Sequence, residues 1–362
     1  MKYYLIAGER SGDLHASNLM KALKQQDATA EFRFFGGDYM QAVGGELVVH
    51  YKDLAFMGFW EVIVNLRTIS KYIKQCKKDI DTWQPDALIL VDYGGFNLKI
   101  AEHAKKVGHK VIYYISPKVW AWNQKRANKI KERVDKMLCI LPFEVDFYKK
   151  FDWDVEYVGS PVLDAVKSHK ANQNFYQDNH LDSAKEIIAI LPGSRKQEVS
   201  RILPVLAKVA QHYTDYQVIV AGVNNLPKEI YESITGLSHV SLVFDQTYDL
   251  LANSKAAIVC SGTATLETAL FNVPQVIVYK TSGFSYRIAI TVIRVPYIGL
   301  ANLIVGEELV KELVQENCSV ENITDEVNHL LANGTDYKEL AKAIGDKVAS
   351  KEAARAVVRE LS

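Results

Sequence analysis

The sequence predicts an α/β protein with two domains, each built on a parallel β-sheet flanked by helices. The chain has 362 residues, more than one hydrophobic core usually serves, and 48% of them are apolar. Short apolar runs alternate with helical patterns in both halves, as is typical of parallel sheets. A polar stretch without apolar periodicity, residues 168–174, separates the two halves.

These features predict a first domain over residues 1–167, a second over residues 168–336 and a helical tail over residues 337–362. The tail is rich in alanine and charged residues, and we expect it to pack back on the first domain or on a partner subunit. In the first domain, helices are expected to begin near Leu14 and Leu98. The predicted strands of that domain are Tyr3–Ala7, Ala87–Val91 and Val111–Ile115.

The second domain repeats the alternation of strands and helices, and the chain beyond Val320 is predicted to be wholly helical. Its predicted strands are Ile187–Leu191, Gln217–Ala221, Val240–Phe244, Ala256–Cys260 and Gln275–Tyr279.

Composition excludes several classes of protein. The 43 basic residues balance the 43 acidic ones, so there is no global charge to attract nucleic acid, and no nucleic-acid partner is expected. The four cysteines are widely scattered, so we expect them to be buried free thiols in a reducing compartment. The short apolar start lacks the long apolar region of a signal peptide, and no apolar run is long enough to span a membrane. We therefore expect a cytoplasmic protein.

The first predicted strand leads into a glycine-containing loop, residues 8–13. Its spacing does not match the dinucleotide-binding glycine pattern, and Glu9 and Arg10 instead supply groups suited to sugar hydroxyls or phosphate. Ser11 or Asp13 is expected to cap the following helix. The alternative is an ordinary capped turn without a ligand.

Asp92 directly follows the apolar strand Ala87–Val91. Ligands bind at the carboxyl ends of strands in open α/β sheets, so Asp92 is our candidate general base. The alternative role for Asp92 is the N-cap of the next helix.

Basic and aromatic residues lie together after the strand Val111–Ile115. Trp120 and Trp122 precede a basic stretch that begins near Asn123 and reaches Lys131, a combination that can bind a phosphate, RNA or a membrane surface. A packed tryptophan pair followed by a solvated helix face is the alternative.

Two turns of the second domain suit phosphate binding. Residues 192–195 form a sharp turn that presents the Arg195 guanidinium, which can fork onto phosphate oxygens. Ser261, Gly262 and Thr263 follow a strand and open a helix, so backbone N–H groups are available to an anion, and Glu267 lies one turn further on. A capped helix with an ordinary buried threonine pair is the alternative.

The pattern of the segment Met57–Lys74 predicts an amphipathic basic helix. Its apolar side includes Phe59, Trp60, Ile63 and Leu66, and its basic side includes Arg67 and Lys71. The alternative is a core-facing helix with a solvated basic side.

Taken together, these motifs resemble the lipid-A-disaccharide synthase family, nearly end to end. The residues that carry the resemblance are Gly8-Glu9-x-Ser11-Gly12-Asp13, Asp92 with Phe96-Asn97, Ser116-Pro117-x-Val119-Trp120-Ala121-Trp122, Leu141-Pro142-Phe143-Glu144, Leu191-Pro192-Gly193-Ser194-Arg195, Ser261-Gly262-Thr263-Ala264-x-Leu266-Glu267, Asn302 and Glu308-Leu309-Val310-Lys311-Glu312-Leu313.

The resemblance implies a GT-B glycosyltransferase: two Rossmann-like domains facing across a cleft, with C-terminal helices. It implies transfer of 2,3-diacylglucosamine from UDP-2,3-diacylglucosamine to lipid X, 2,3-diacylglucosamine 1-phosphate, with inversion and without a metal or other cofactor. The products are the β-1,6 lipid A disaccharide 1-phosphate and UDP.

The resemblance also assigns roles to residues. It places Asp92 as the base, with Glu9 as a further position important for activity. The positions implied for the UDP donor are Arg195, Ser261, Gly262, Thr263, Glu267 and Asn302, and those of the acceptor loop are Arg10, Ser11 and Gly12. Because both substrates carry acyl chains, the resemblance further implies peripheral docking of Phe59, Trp60, Ile63 and Leu66 on the inner membrane. It allows a homodimer formed by tail exchange.

Two departures from the family pattern bear on acceptor positioning. Gly94-Gly95 stands where family members have a Pro-Asp pair, and Ser160 stands where a histidine is frequent. Two alternative functions stay open: another UDP-sugar enzyme of the same fold, such as a lipid-linked N-acetylglucosaminyltransferase or a UDP-sugar 2-epimerase, and a catalytically silent protein that binds UDP-sugars.

Overall fold

The computed structural model describes residues 1–53 and 66–362, with only the backbone described for Leu66, Thr235, Phe284, Ser285 and Ile288. The predicted docking residues Phe59, Trp60 and Ile63, and the Leu66 side chain, therefore lie outside the described part of the protein.

The chain divides into two compact units. Unit 1 comprises Met1–Pro161 and Asp346–Ser362, and unit 2 comprises Val162–Gly345. The last helix thus belongs to the same unit as the first strand. Residues 338–344, which the predicted tail also includes, belong to unit 2.

Unit 1 contains a seven-stranded sheet in the order β3-β2-β1-β4-β5-β6-β7, and every pair of neighbours is parallel. The strands are β1 Lys2–Ala7, β2 Glu31–Gly36, β3 Glu46–His50, β4 Ala87–Val91, β5 Lys110–Tyr114, β6 Lys136–Cys139 and β7 Glu156–Tyr157. The helices before the unit boundary are α1 Arg10–Gln26, α2 Asp38–Val43, α3 Leu66–Trp83, α4 Gly94–Lys106, α5 Val119–Trp122, α6 Arg126–Arg133 and α7 Phe143–Lys149. A 3₁₀ turn covers Tyr51–Asp53.

Unit 2 contains a six-stranded parallel sheet in the order β10-β9-β8-β11-β12-β13. The strands are β8 Ile187–Leu191, β9 Gln217–Gly222, β10 Val240–Phe244, β11 Ser254–Cys260, β12 Gln275–Tyr279 and β13 Glu312–Val314. The helices from Pro161 onward are α8 Pro161–Ser168, α9 Phe175–Asp178, α10 Lys196–Ala210, α11 Glu232–Thr235, α12 Thr247–Ala252, α13 Thr263–Leu270, α14 Gly283–Val292, α15 Leu300–Val305, α16 Val320–Asn333, α17 Lys338–Ile344 and α18 Ala349–Leu361, of which α18 belongs to unit 1. The 3₁₀ turns are Lys228–Tyr231 and Gln315–Asn317.

Each sheet has a point where the strand order reverses. In unit 1 the pair is β1 and β4, with Ala7 opposite Val91, and in unit 2 it is β8 and β11, with Leu191 opposite Val259. Ligand crevices form outside the carboxyl ends of strands at such points. The topology therefore places the loop after Ala7 beside Asp92, and the turn after Leu191 beside Ser261.

All eight predicted strands are confirmed, as is the helical end of the chain, but the predicted helix starts are wrong. The helix after β1 begins at Arg10 rather than near Leu14, and the helix after β4 begins at Gly94 rather than near Leu98. In both cases glycine lies within the first turn, where the apolar pattern of the helix has not yet begun. Among the described helices, none has both the length and the apolar character needed to cross a bilayer.

The last helix, α18, packs into the core of unit 1. Its buried side chains include the alanines 353, 354 and 356 together with Val357, which join a cluster that includes residues of β1 and α1. At its end, Arg359 pairs with Glu156 at 2.6 Å, and Glu360 pairs with Lys110 at 2.8 Å. The small side chains allow α18 to lie close to α1, and the two ion pairs hold the C-terminal end of α18 in place.

We expect Ala353→Leu to destabilise unit 1 by about 1–3 kcal/mol, because the added methylene groups must enter a closely packed interior. All five tryptophans lie within residues 1–161, so urea unfolding followed by tryptophan fluorescence reports on this unit. Lys351→Leu, on the exposed side of the same helix, is the control. Equal midpoints for the two variants would contradict this packing.

Candidate functional site

The backbone at Asp92 is held in an uncommon conformation at the carboxyl end of β4. Asp92 and Tyr93 both have left-handed φ values, 46° and 49°. The Asp92 carbonyl accepts hydrogen bonds from the Tyr113 hydroxyl at 2.6 Å and from Asn97 Nδ2 at 2.8 Å. Such conformations persist where their surroundings hold them, and they are frequent at functional sites. Tyr93, not Asp92, occupies the N-cap position of α4, so the alternative role for Asp92 is not seen.

The electrostatic surroundings favour Asp92 as a base. Burial raises the pKa of the Asp92 carboxyl, and the negative charge of Glu9 raises it further, while Lys118 and the Tyr93 amide oppose the shift. Ser11 Oγ donates a hydrogen bond to Glu9 Oε1 at 3.0 Å. A carboxylate with a raised pKa binds a proton more strongly than an ordinary one, which suits general-base catalysis near neutral pH.

Gly8 is required by the ring of Tyr93. A Cβ atom at Gly8 would overlap the Tyr93 ring, which also packs on Phe96 with centroids 5.6 Å apart. The glycine therefore lets the loop after β1 and the loop after β4 approach each other. Gly8 and Tyr93, which meet here, are 85 positions apart in the sequence.

We expect Gly8→Ala to displace Tyr93 and to destabilise unit 1 by about 1–3 kcal/mol, as overpacking does. Urea unfolding followed by tryptophan fluorescence measures this loss. Gly95→Ala is the control, because a Cβ there has no neighbour within 4 Å. The double variant Gly8→Ala/Tyr93→Ala should recover much of the lost stability, and failure to do so would contradict the proposed overlap.

The predicted cap of α1 by Ser11 or Asp13 is wrong. The helix begins at Arg10, so both residues lie inside it, and the N-cap residue Glu9 makes no side-chain capping bond. Asp13 is buried and instead accepts hydrogen bonds from the backbone N–H groups of Gly37 at 2.8 Å, Tyr39 at 3.0 Å and Met40 at 3.1 Å. Asp13 therefore fixes the loop between β2 and α2 against the start of α1.

The other residues of the acceptor loop differ in exposure. Arg10 and Ser11 are exposed and Gly12 is buried, and Arg10 lies 3.4 Å from the Tyr39 hydroxyl. Of the two departures, Gly94 lies near Pro117, where a Cβ would be 3.1 Å from the proline Cβ. Ser160 is buried.

The two tryptophans after β5 differ in environment. Trp120 is buried and donates from Nε1 to Glu144 Oε1 at 3.1 Å, whereas Trp122 is 51% exposed with the Arg126 guanidinium over its ring. Burial raises the pKa of Glu144 to about 7. Ser116 Oγ lies 2.6 Å from the Tyr148 hydroxyl in the same buried cluster. Of the two tryptophans, only Trp120 is packed in the interior, as the alternative interpretation expected of both. The buried cluster around Trp120 anchors the segment that carries Trp122.

The basic stretch is mainly a solvated helix face. Lys125, Lys129 and Lys131 are exposed, and Lys131 Nζ donates to the carbonyls of Phe151 and Asp152. This arrangement agrees with the alternative described for the stretch.

In unit 2, Gly193 and Arg195 form the sharp turn after β8. Gly193 has φ 102°, a conformation that side chains rarely adopt, and Arg195 is the N-cap residue of α10. The Arg195 side chain is 80% exposed and its Nη1 lies 3.0 Å from Glu198 Oε1. An exposed guanidinium in this position can exchange a surface ion pair for a phosphate at little cost.

The N-terminus of α13 has the form of an anion cradle. Gly262 is the N-cap residue and has no side chain to cover the helix end, and Gly262 and Thr263 are exposed. Ser261 Oγ donates to the carbonyl of Ile298 at 2.8 Å. Exposed amide groups and the helix dipole favour a negative group here. The buried threonines of this helix are Thr265 and Thr268 rather than Thr263.

Glu267 and Asn302 are held by other protein groups. Glu267 Oε1 accepts a hydrogen bond from the Tyr248 hydroxyl at 2.9 Å, and burial raises the pKa of Glu267. Asn302 is fully buried, and its amide donates to the Val310 carbonyl at 2.7 Å and to Glu312 Oε1 at 2.8 Å. Asn302 Oδ1 accepts from the Val310 amide at 2.8 Å.

Sequence reasoning missed Tyr93, Tyr248 and Glu312. Tyr93 and Tyr248 belong to no pattern that indicates a ligand, and Glu312 was noted only as part of the motif at residues 308–313, without a role of its own. The contacts that give these residues their roles are made with other elements of the fold. Within residues 1–53 and 66–362, no cluster of three or more His, Cys, Asp or Glu side chains is arranged to hold a metal ion.

Comparison with known proteins identifies the family. Residues 3–360 match a family model described as lipid-A-disaccharide synthetase. The chain is 38% identical over 333 residues to a lipid-A-disaccharide synthase from Geobacter metallireducens, covering 90% of this chain and 87% of that protein. It is 35% identical over 348 residues to one from Myxococcus xanthus, covering 94% and 91%.

Solved structures with lower identity show the same fold. A UDP-GlcNAc 2-epimerase from Neisseria meningitidis bound to UDP-GlcNAc has a TM-score of 0.69 at 12% identity, covering 100% of this chain and 99% of that chain. CalG4, the calicheamicin glycosyltransferase, has a TM-score of 0.65 at 13% identity, covering 99% and 98%. The chain therefore belongs to the lipid-A-disaccharide synthase family, a family of glycosyltransferases of lipid A biosynthesis with the two-domain α/β fold of the GT-B type.

Proposed function

We propose that the protein transfers 2,3-diacylglucosamine from UDP-2,3-diacylglucosamine to the 6-hydroxyl of lipid X, with inversion at the anomeric carbon. The products are the β-1,6 lipid A disaccharide 1-phosphate and UDP. The observation that carries the proposal is Asp92, held at the reversal point of the first sheet with its pKa raised by burial and by Glu9. The family match supplies the class of reaction.

In the proposed reaction, Asp92 takes the proton of the acceptor 6-hydroxyl while that oxygen attacks the anomeric carbon of the donor. The new bond forms on the face opposite UDP, and the bond from the anomeric carbon to the phosphate oxygen breaks with its electron pair going to UDP. Glu9 keeps Asp92 basic through its negative charge. Arg10 and Ser11, the exposed residues of the acceptor loop, are proposed to face the acceptor, whereas Gly12 is buried behind them.

The leaving phosphate gains negative charge as its bond breaks. Arg195 and the exposed N-terminus of α13 at Ser261–Thr263 are proposed to stabilise that charge, since they are positioned before the reaction begins. Glu267, beside Tyr248, is proposed to bind the ribose hydroxyls. These groups act without a metal ion in the proposal.

Peripheral contact with the inner membrane is the second part of the proposal. Arg67, Lys71 and Lys74 are exposed on α3, which agrees with a basic face turned toward anionic lipid. Replacing Phe59 and Trp60 with Ser should lower binding to anionic liposomes. Unchanged liposome binding would contradict docking through this segment. A homodimer stays a prediction.

The test of the proposed reaction is formation of the disaccharide from UDP-2,3-diacylglucosamine and lipid X in detergent, followed by mass spectrometry. We expect product at similar rates with and without EDTA. A folded protein that binds UDP but forms no disaccharide would contradict the proposal and would point to another UDP-sugar reaction.

The pH dependence tests the role of Glu9. Its negative charge raises the pKa of Asp92, so Glu9→Gln should lower that pKa. Asp92 then stays deprotonated to lower pH, and the acid limb of kcat/KM should move to lower pH, whatever the height of the profile. Glu31→Gln is the control, because Glu31 is exposed at the amino end of β2, whereas the site lies at the carboxyl ends of the strands. A limb that stays in place or moves upward would contradict this role.

A further inference from the structure

The proposed phosphate cradle is braced by a backbone segment, residues 298–300, which we call the strap. Ser261 Oγ donates to the carbonyl of Ile298 at 2.8 Å, and the amide of Leu300 donates to Thr265 Oγ1 at 3.2 Å. Thr265 Oγ1 in turn donates to the carbonyl of Gly262 at 2.8 Å. The strap thus contacts the cradle on both sides of its glycine.

The strap is held in turn by the carboxylate of Glu312, the first residue of β13. Glu312 Oε2 accepts from the Ile298 amide at 2.9 Å, and Oε1 accepts from the Gly299 amide at 2.9 Å. Asn302 donates to the same Oε1 at 2.8 Å. Gly299 packs so closely on Ile277 of β12 that a Cβ there would overlap that side chain. The strap therefore has little freedom to move.

In this arrangement the Asn302 side chain offers a nucleotide no free N–H group and no exposed atom. The side chain is fully buried, its amide nitrogen serves the Val310 carbonyl and Glu312, and its oxygen accepts from the Val310 amide. These bonds join the start of α15 to the start of β13. A direct contact with UDP would require exposing this fully buried side chain.

We infer that Glu312 and Asn302 are positioning residues of the donor phosphate site and act through the strap without touching the nucleotide. The inference rests on the proposed function, since it assumes that Ser261–Thr263 bind the phosphates of UDP. It assigns a role to Glu312 and replaces direct nucleotide contact by Asn302 with an indirect one.

The hydrogen bonds of Glu312 and Asn302 explain why neither a neutral residue at 312 nor a charged residue at 302 should hold the strap in place. A glutamine at 312 presents an N–H group where one of the three N–H donors now finds an acceptor, so a buried donor loses its partner. An aspartate at 302 places a second carboxylate against Glu312 and removes the donor to Val310. In each case the strap, and with it the first turn of α13, loses its fixed position.

The experiment compares binding of UDP and of uridine by calorimetry and NMR titration. Glu312→Gln and Asn302→Asp should each raise the Kd for UDP by about 10-fold or more, as expected for lost buried hydrogen bonds, with the Kd for uridine changed less than about 2-fold. Uridine lacks the phosphates that the cradle is proposed to bind, so a displaced cradle should weaken the binding of UDP alone. A general loss of folded unit 2 would weaken the binding of both ligands equally.

A third variant guards against misfolding of the first two. Thr265→Val keeps the shape of the side chain and removes its hydrogen bonds with the Leu300 amide and the Gly262 carbonyl, while the Ser261–Ile298 bond stays, so it should raise the Kd for UDP in the same direction. Two controls lie in unit 2. Glu308→Gln removes an exposed partner of Lys311, and Tyr213→Phe removes a hydrogen bond to the Thr324 carbonyl.

The outcomes separate the two claims. If the wild type does not bind UDP, the proposed donor site is wrong and the inference fails with it. If the wild type binds UDP and the Glu312, Asn302 and Thr265 variants bind it as tightly as the controls do, the inference alone is overturned. Equal weakening of UDP and uridine binding would also overturn it, because the residues would then stabilise the unit as a whole.

Discussion

Replacing Asp92 with Asn is expected to lower kcat by about 10²- to 10⁴-fold, the usual contribution of a positioned general base. The amide keeps the size of the side chain but cannot take the acceptor proton. Because Asp92 belongs to unit 1 and the residues proposed to bind UDP belong to unit 2, the Kd for UDP should stay within about 2-fold of the wild-type value.

Disaccharide formation and calorimetric UDP binding measure these two effects. Asp154→Asn, which neutralises an exposed carboxylate of the same unit, is the matched control. Full turnover by the Asp92 variant would refute the base and would favour a protein whose role is to bind UDP-sugars.

Arg195→Ala should raise the Kd for UDP by about 10- to 100-fold, because hydrogen bonds to a charged phosphate are among the stronger ones in proteins. The surface pair with Glu198 contributes little to stability, so the melting temperature should change little. kcat should fall as well, since the phosphate gains charge as the bond to the sugar breaks.

Arg201→Ala removes an exposed arginine from the same helix and serves as the control for net charge. An Arg195 variant that binds UDP as tightly as the Arg201 variant would show that this guanidinium does not reach the phosphates.

The sequence predicted the parts of the fold that depend on local pattern. Continuous apolar strands such as Ala87–Val91 are buried throughout and have few competing interpretations. The strands that were missed are mostly short or peripheral: β7 has two residues and β13 has three. Strands at a sheet edge need fewer apolar residues, so their pattern is weak.

The site could be predicted only where a residue type and its position after a strand coincide. Asp92 met both conditions. The role of Asp13 did not follow from its neighbours, since its hydrogen-bond partners lie 24 to 27 residues away. For the same reason, the need for glycine at position 8 depends on Tyr93, and Asn302 is understood only together with Glu312.

The anomeric configuration of the disaccharide tests the central claim most directly. Wild-type protein would be supplied with UDP-2,3-diacylglucosamine and lipid X, and the new glycosidic linkage would be read from the anomeric coupling constant by NMR. Displacement in one step by a hydroxyl that Asp92 deprotonates predicts a β-1,6 linkage, inverted relative to the donor. An α linkage, with configuration retained, would contradict the single displacement and the role of Asp92 in it.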